Sequence, residues 1–157
     1  MKTLTMIFSL IVFMSCTSDN GQEQFSYDVG FELSVKDTDG NDLLNPENAN
    51  SFKASEIKIF YLINGVMEEV YKEDKDYPRN FFIYKHDNEH RIRVFLNHSE
   101  TEETPETYIK WNETVTDVLS AKVNQTPFNV KIDTIWLNGN LIWSASENAE
   151  PYYAMIK

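Results

Sequence analysis

Residues 129–143, NVKIDTIWLNGNLIW, read as two apolar-rich strands folded back on each other about Asn138-Gly139. Asn-Gly is the strongest short hairpin signal, because both central residues of the tight turn take positive φ, which glycine adopts freely and asparagine tolerates. A two-residue turn at this point pairs Trp136 with Leu141 and Ile135 with Ile142. Trp136 and Trp143 are then expected on one face, diagonal to each other across the strands. Exposed, the two indoles would form a stacking platform for a sugar, which makes Trp136 and Trp143 candidate ligand-binding residues. The competing expectation is core packing, since an indole buries a large apolar area and one face of each strand must point inward.

The same grammar extends outward from this hairpin. EIKIFYLINGVMEEVYK (residues 56–72) is a second pair of β-rich runs joined by Asn64-Gly65. FFIYKHDNEHRIRVFLN (81–97) folds about Asp87-Asn88. An even-length turn there pairs Ile83 with Ile92 and Phe81 with Val94. It leaves Phe82 and Tyr84 opposite Arg93 and Arg91, within reach of cation–π contact. A one-residue slip would scramble both faces. GFELSVKD (30–37) alternates, with Phe31, Leu33 and Val35 on one side and Glu32, Ser34 and Lys36 on the other. TYIKWNETVTDVLSAKVN (107–124) supplies further strands about a turn at 112–114, its Thr and Val content favouring strand over helix. Residues 152–156 could add a short edge strand. Seven to nine short strands with regularly spaced turn signals predict an all-β chain folded as an antiparallel β-sandwich.

The amino terminus, MKTLTMIFSLIVFMSC, joins Lys2 to an apolar run over residues 4–14 that is shorter than the ~20 residues a membrane-spanning helix needs. It reads as a secretory signal over residues 1–15. Cys16 is the only cysteine, so it can form no internal disulfide. Ser15-Cys16 resembles the end of a bacterial lipobox, with Phe13 and Met14 departing from its commonest form. That resemblance implies lipidation at Cys16, and anchorage to a membrane through that lipid. The polar residues 16–24 suit a tether, and residues 25–157 form the folded domain. Against 25 acidic residues stand 14 basic ones, of which Lys2 leaves with the signal, giving a net charge of −11 for the chain and −12 once mature. So acidic a surface argues against nucleic acid as a partner.

Chemistry is sparse. His86 and His90 are four apart, as in helical zinc sites, but the hairpin register sends them to opposite faces, and His98 lies in another loop. The segment 98–107 crowds Glu100, Glu102, Glu103 and Glu106 beside Pro105, as a solvated loop would. No nucleophile-elbow motif or Gly-rich phosphate loop is present, and the expectation is a protein that is not an enzyme. The one candidate metal site is VKDTDGNDLLNP (35–46), where Asp37, Asp39, Asn41 and Asp42 could hold Ca2+. The EF-hand pattern fails there, with Asp42 in place of the glycine and Asn48 in place of the bidentate glutamate. Asp39-Gly40 is itself a good turn signal, with Leu43 and Leu44 re-entering the interior, so turn is favoured over calcium and no cofactor is expected.

Three segments, VKDTDGNDLLNPEN, YIKWNETVTDVLSAKV and IWLNGNLIW, together resemble small envelope lipoproteins of Bacteroidetes bacteria. That group shares a D-x-x-G-N-D-L-L-[ND]-P segment after the tether, a W-x-x-x-x-x-D stretch in mid-chain and an L-N-G hairpin near the end. The resemblance implies an immunoglobulin-like or transthyretin-like sandwich in the cell envelope, on the outer membrane, and brings no catalytic residues. The resulting expectation is a lipid-anchored, non-catalytic binding or structural module. The alternative is a carbohydrate- or protein-binding adhesin, or an accessory component of a surface nutrient-acquisition system, with a glycan or an envelope protein as partner.

Overall fold

Each expected hairpin forms where its turn residues put it. Asn64 and Gly65 take φ of 50° and 78°, and Asn138 and Gly139 take 50° and 81°, so both tight turns use the positive-φ geometry that matches strand twist. The structure, a computed structural model, describes residues 25–157. The signal segment, Cys16 and the tether lie outside the described residues.

Among the described residues eleven strands run in chain order: β1 (Ser26–Asp28), β2 (Gly30–Lys36), β3 (Lys58–Ile63), β4 (Val66–Glu69), β5 (Phe81–His86), β6 (Glu89–Phe95), β7 (Glu106–Lys110), β8 (Thr116–Thr126), β9 (Asn129–Leu137), β10 (Asn140–Ser144) and β11 (Tyr152–Ile156). They make two sheets. A seven-stranded sheet has the order β1-β9-β8-β7-β3-β4, with β10 also on β9, and a four-stranded sheet has the order β11-β2-β6-β5. The protein is therefore an all-β sandwich. It has more strands than the seven to nine expected, and β1, at three residues, is too short to show an alternation. Two pairings, β1 with β9 and β11 with β2, are parallel, where an antiparallel arrangement is expected throughout. Both come from terminal segments that join an edge after a long excursion and so are not bound by hairpin geometry.

The core follows from period-two patterning. Phe31, Leu33 and Val35 of β2, with Ile92 and Val94 of β6, face Ile59, Ile109, Leu119 and Ile135 of the larger sheet, all fully buried. Full burial of each such side chain contributes roughly 1.5–3 kcal/mol. The β5–β6 register pairs Phe81 with Val94 and Ile83 with Ile92, as the sequence predicts. The arginines find other partners: Arg91 lies 3.8 Å over the ring of Tyr152, from β11, rather than over Tyr84.

The last hairpin departs from its predicted register. Leu141 pairs with Trp136 as expected, but a bulge at Ile142 then sets Trp143 opposite Ile135. One extra residue inverts the side a strand presents. Trp143 thereby turns inward, where it is 8% exposed and meets Phe31 edge-on at 6.1 Å. Its indole N–H donates to the Ala149 carbonyl. Burying the larger indole in place of Ile142 supplies the reason for the bulge.

Candidate functional site

The tryptophan platform does not form. Trp136, half-buried, stays on the outer face of the larger sheet beside exposed Leu141, while Trp143 belongs to the core. The two candidate residues lie on opposite faces of one hairpin and cannot stack on one ligand.

The acidic loop at 37–42 uses its oxygens on its own chain. Asp37 Oδ1 accepts from the backbone N–H groups of Asp39 and Asn41, and Oδ2 accepts from the Asn41 amide. These bonds hold its carboxyl below the usual aspartate range. Asp42 Oδ1 caps the Leu44 N–H, and its Oδ2 takes the backbone N–H of His90 at 2.7 Å, with His90 Nδ1 3.1 Å away. Asp39-Gly40 forms the turn, Gly40 at φ 85°, and Leu43 and Leu44 are buried beyond it. Among the described residues no group of three or more His, Cys, Asp or Glu side chains gathers as a metal site. His86 and His90 do fall on opposite faces, since their positions in the hairpin differ by one pairing step.

Two polar networks that the sequence gives little sign of stand at the centre and at one end of the sandwich. On the outer face of the smaller sheet, Glu32 is 6% exposed. It accepts from Tyr84 Oη at 2.6 Å, from Arg91 at 3.3 Å and from Arg93 at 3.1 Å. Burial pushes its carboxyl up, but these bonds outweigh it and leave the group low. Tyr84, whose ring is set against the charge of Glu32, is pushed up to about 12 by burial and by that bond. At the Lys36 end of β2, Asp117 accepts from Trp111 Nε1 and from Lys157 Nζ, both at 2.6 Å, and from Asn138 Nδ2 at 2.9 Å. Phe52 stacks on Trp111 at 5.2 Å, and its N–H donates to the Leu43 carbonyl. The three sequence segments singled out for their resemblance thus meet at one end of the fold. Every partner in this cluster is satisfied internally, so it serves to hold loops together.

The opposite end of β2, roughly 20 Å away at 3.3 Å per residue, is different. A cleft of about 420 Å3 opens there, within the range of small-molecule sites. Its walls are aromatic. Tyr27, from β1, sets its Oη 2.9 Å from His98 Nε2 and its ring edge-on to the imidazole. Tyr77 stacks on Phe82 at 4.4 Å and stays 43% exposed. Tyr61, from β3, donates from its Oη to the Phe95 carbonyl and accepts from Asn80 Nδ2; burial pushes it up to about 12. The loop 70–80 forms the rim. Its conformation is held by Lys72 N–H to the Pro78 carbonyl and by Asn80, at φ 53°, paired with Phe95. Lys72, Lys75 and Asp76 line the opening. A larger hollow of about 650 Å3 lies between the 44–55 connection and β5. Of its polar lining, His90 is bonded to Asp42 and Tyr84 to Glu32.

No sequence motif marks the aromatic cleft, because its members come from β1, β3, the 70–80 loop and the end of β6. The sole local sign is Tyr77-Pro78, an aromatic placed at a loop constraint. In comparisons with protein-family models, curated proteins and solved structures, nothing matches the chain.

Proposed function

We propose that the protein is a lipid-anchored, non-catalytic module of the cell envelope, held at the outer membrane through Cys16, that binds carbohydrate in the Tyr27–Tyr77 cleft. The anchorage rests on the signal-like segment ending at the single cysteine, and the affiliation with Bacteroidetes-type envelope lipoproteins rests on the three quoted segments. The observation that carries the binding reading is the cleft itself: tyrosine rings with an open edge, beside hydroxyl, amide and amine groups with capacity for more hydrogen bonds. Aromatic rings accept the apolar face of a sugar, and a few polar groups fix its orientation. Residues 16–24 reach at most about 30 Å, which sets the distance from the lipid at which a ligand is met.

Glycan-array binding by the lipid-free domain tests the proposal. Signal lost in Tyr77→Ala, with the melting transition retained and Trp136→Ala still binding, supports the cleft. Loss in Trp136→Ala with Tyr77→Ala intact would transfer the site to the outer sheet face. Membrane fractionation of Cys16→Ala tests the anchor, and an unchanged membrane fraction would remove it.

A further inference from the structure

The cleft carries more cationic character than the rest of the molecule leads one to expect. The chain has 25 acidic residues against 14 basic ones, and most basic side chains outside the cleft are drawn into ion pairs. Lys36, Lys53, Lys58, Arg91, Arg93, Lys110 and Lys157 each sit within 4 Å of a carboxylate. Lys72 and Lys75 do not, among the described residues, although Glu73, Asp74 and Asp76 adjoin them in sequence. Of those three acids only Asp76 lines the cleft. Both lysines are exposed at the rim, and a backbone bond from the Lys75 N–H to the Lys72 carbonyl holds the two positions in one turn.

We propose that the cleft takes a pyranose bearing a carboxylate, a uronic acid, with its ring against Tyr77 and its carboxylate at Lys72 and Lys75. The inference rests on the carbohydrate reading above and adds the class of sugar. A carboxylate meets the ammonium groups charge to charge and can accept a bond from each, where a neutral hydroxymethyl offers an oxygen without the counter-charge. Asp76, on the same rim, is an acceptor for ring hydroxyls. Glu73 and Asp74 adjoin the lysines in sequence but do not line the cleft, so an anionic ligand seated there meets two ammonium groups against the single carboxylate of Asp76.

Glucuronate and glucose differ only at C6 and are the probes. Chemical-shift titration of the lipid-free domain with each is expected to show glucuronate bound about ten-fold more tightly, with the shifts centred on the 70–80 loop. Lys72→Ala/Lys75→Ala, both exposed positions, is expected to bring the two sugars to within about two-fold while the melting temperature holds. Tyr77→Ala is expected to abolish both. Equal binding of the two sugars by the wild type would overturn the uronic-acid assignment and leave the carbohydrate reading standing. Preference for glucuronate that survives the double lysine substitution would overturn the lysine subsite. Binding of neither sugar would remove both the assignment and the reading it rests on.

Discussion

Asp117→Asn is the sharpest perturbation the fold offers, because the substitution is nearly isosteric and its effect is electrostatic. Asp117 is 5% exposed and receives three donors, two on Oδ2 and one on Oδ1. An asparagine has one acceptor oxygen. With that oxygen in the place of Oδ2, its amide meets the Asn138 amide, donor against donor. Asn138 cannot turn away, because its Oδ1 already accepts the Val118 N–H. In the other orientation the new amide faces both the indole N–H and the ammonium. Either way a buried donor is left without a partner and Lys157 loses its counter-charge. A lost bond to a charged group costs about 1.5–3 kcal/mol. The Lys157 side chain keeps 18% exposure, which holds the total below the ~3–5 kcal/mol of a fully buried broken pair. A loss of about 3 kcal/mol is expected, a large part of the ~5–15 kcal/mol typical of a domain. Urea unfolding at neutral pH, followed by tryptophan fluorescence, measures it, and a loss below about 1 kcal/mol would refute the account. There is a pH signature too. Burial pushes the Asp117 carboxyl up, but the bonds from Lys157, Asn138 and Trp111 bring it below the ordinary value of 3.8. A depressed folded pKa contributes stability that is present above 3.8 and lost as pH falls through the lower folded value. The gap between wild type and variant should therefore shrink in acid, and a gap undiminished near about pH 2 would contradict the linkage.

The bulged register separates the two tryptophans energetically. Trp143→Ala is expected to cost about 3–5 kcal/mol and Trp136→Ala under about 1.5 kcal/mol in the same urea assay, and equal costs would argue for the unbulged pairing. Gly30→Ala places a Cβ 2.6 Å from Arg93 Nη2, displacing the guanidinium from Asp28 and Glu32. A cost of about 1–2 kcal/mol is expected, largely absent when Arg93→Ala is already present, and full additivity in that double-mutant cycle would rule out the contact. Because the oxygens of Asp37 and Asp42 serve the loop's own N–H groups and His90, millimolar Ca2+ should leave the melting temperature unchanged. A rise that Asp39→Ala abolishes would restore the calcium site.

The features legible in the sequence are those set by neighbours a few residues apart. Asn64-Gly65 and Asn138-Gly139 dictate tight turns, and the Asp87-Asn88 hairpin has one register that keeps Ile83 and Ile92 on the same side. Phe31, Leu33 and Val35 declare the core face of β2 by alternation alone. The 37–42 loop could be read as a turn because Asp39-Gly40 needs no metal to bend the chain. The bulge at Ile142 was not legible: its advantage arises only when Phe31 of the facing sheet offers the indole a place. The same holds for Glu32, whose burial depends on arginines 59 and 61 residues away.

From the sequence alone follow the all-β class, the main hairpins, the acidic charge and the single cysteine behind an apolar run, since each depends on composition or on spacing within one segment. Tertiary structure alone decided which residues share a surface. It divided Trp136 from Trp143, drew Trp111, Asp117, Asn138 and Lys157 into one cluster, and brought Tyr27, Tyr61, Tyr77 and His98 to one cleft. Contacts of that kind depend on how two sheets are laid against each other, and a period-two pattern specifies which side of a strand faces inward without specifying what it will meet there.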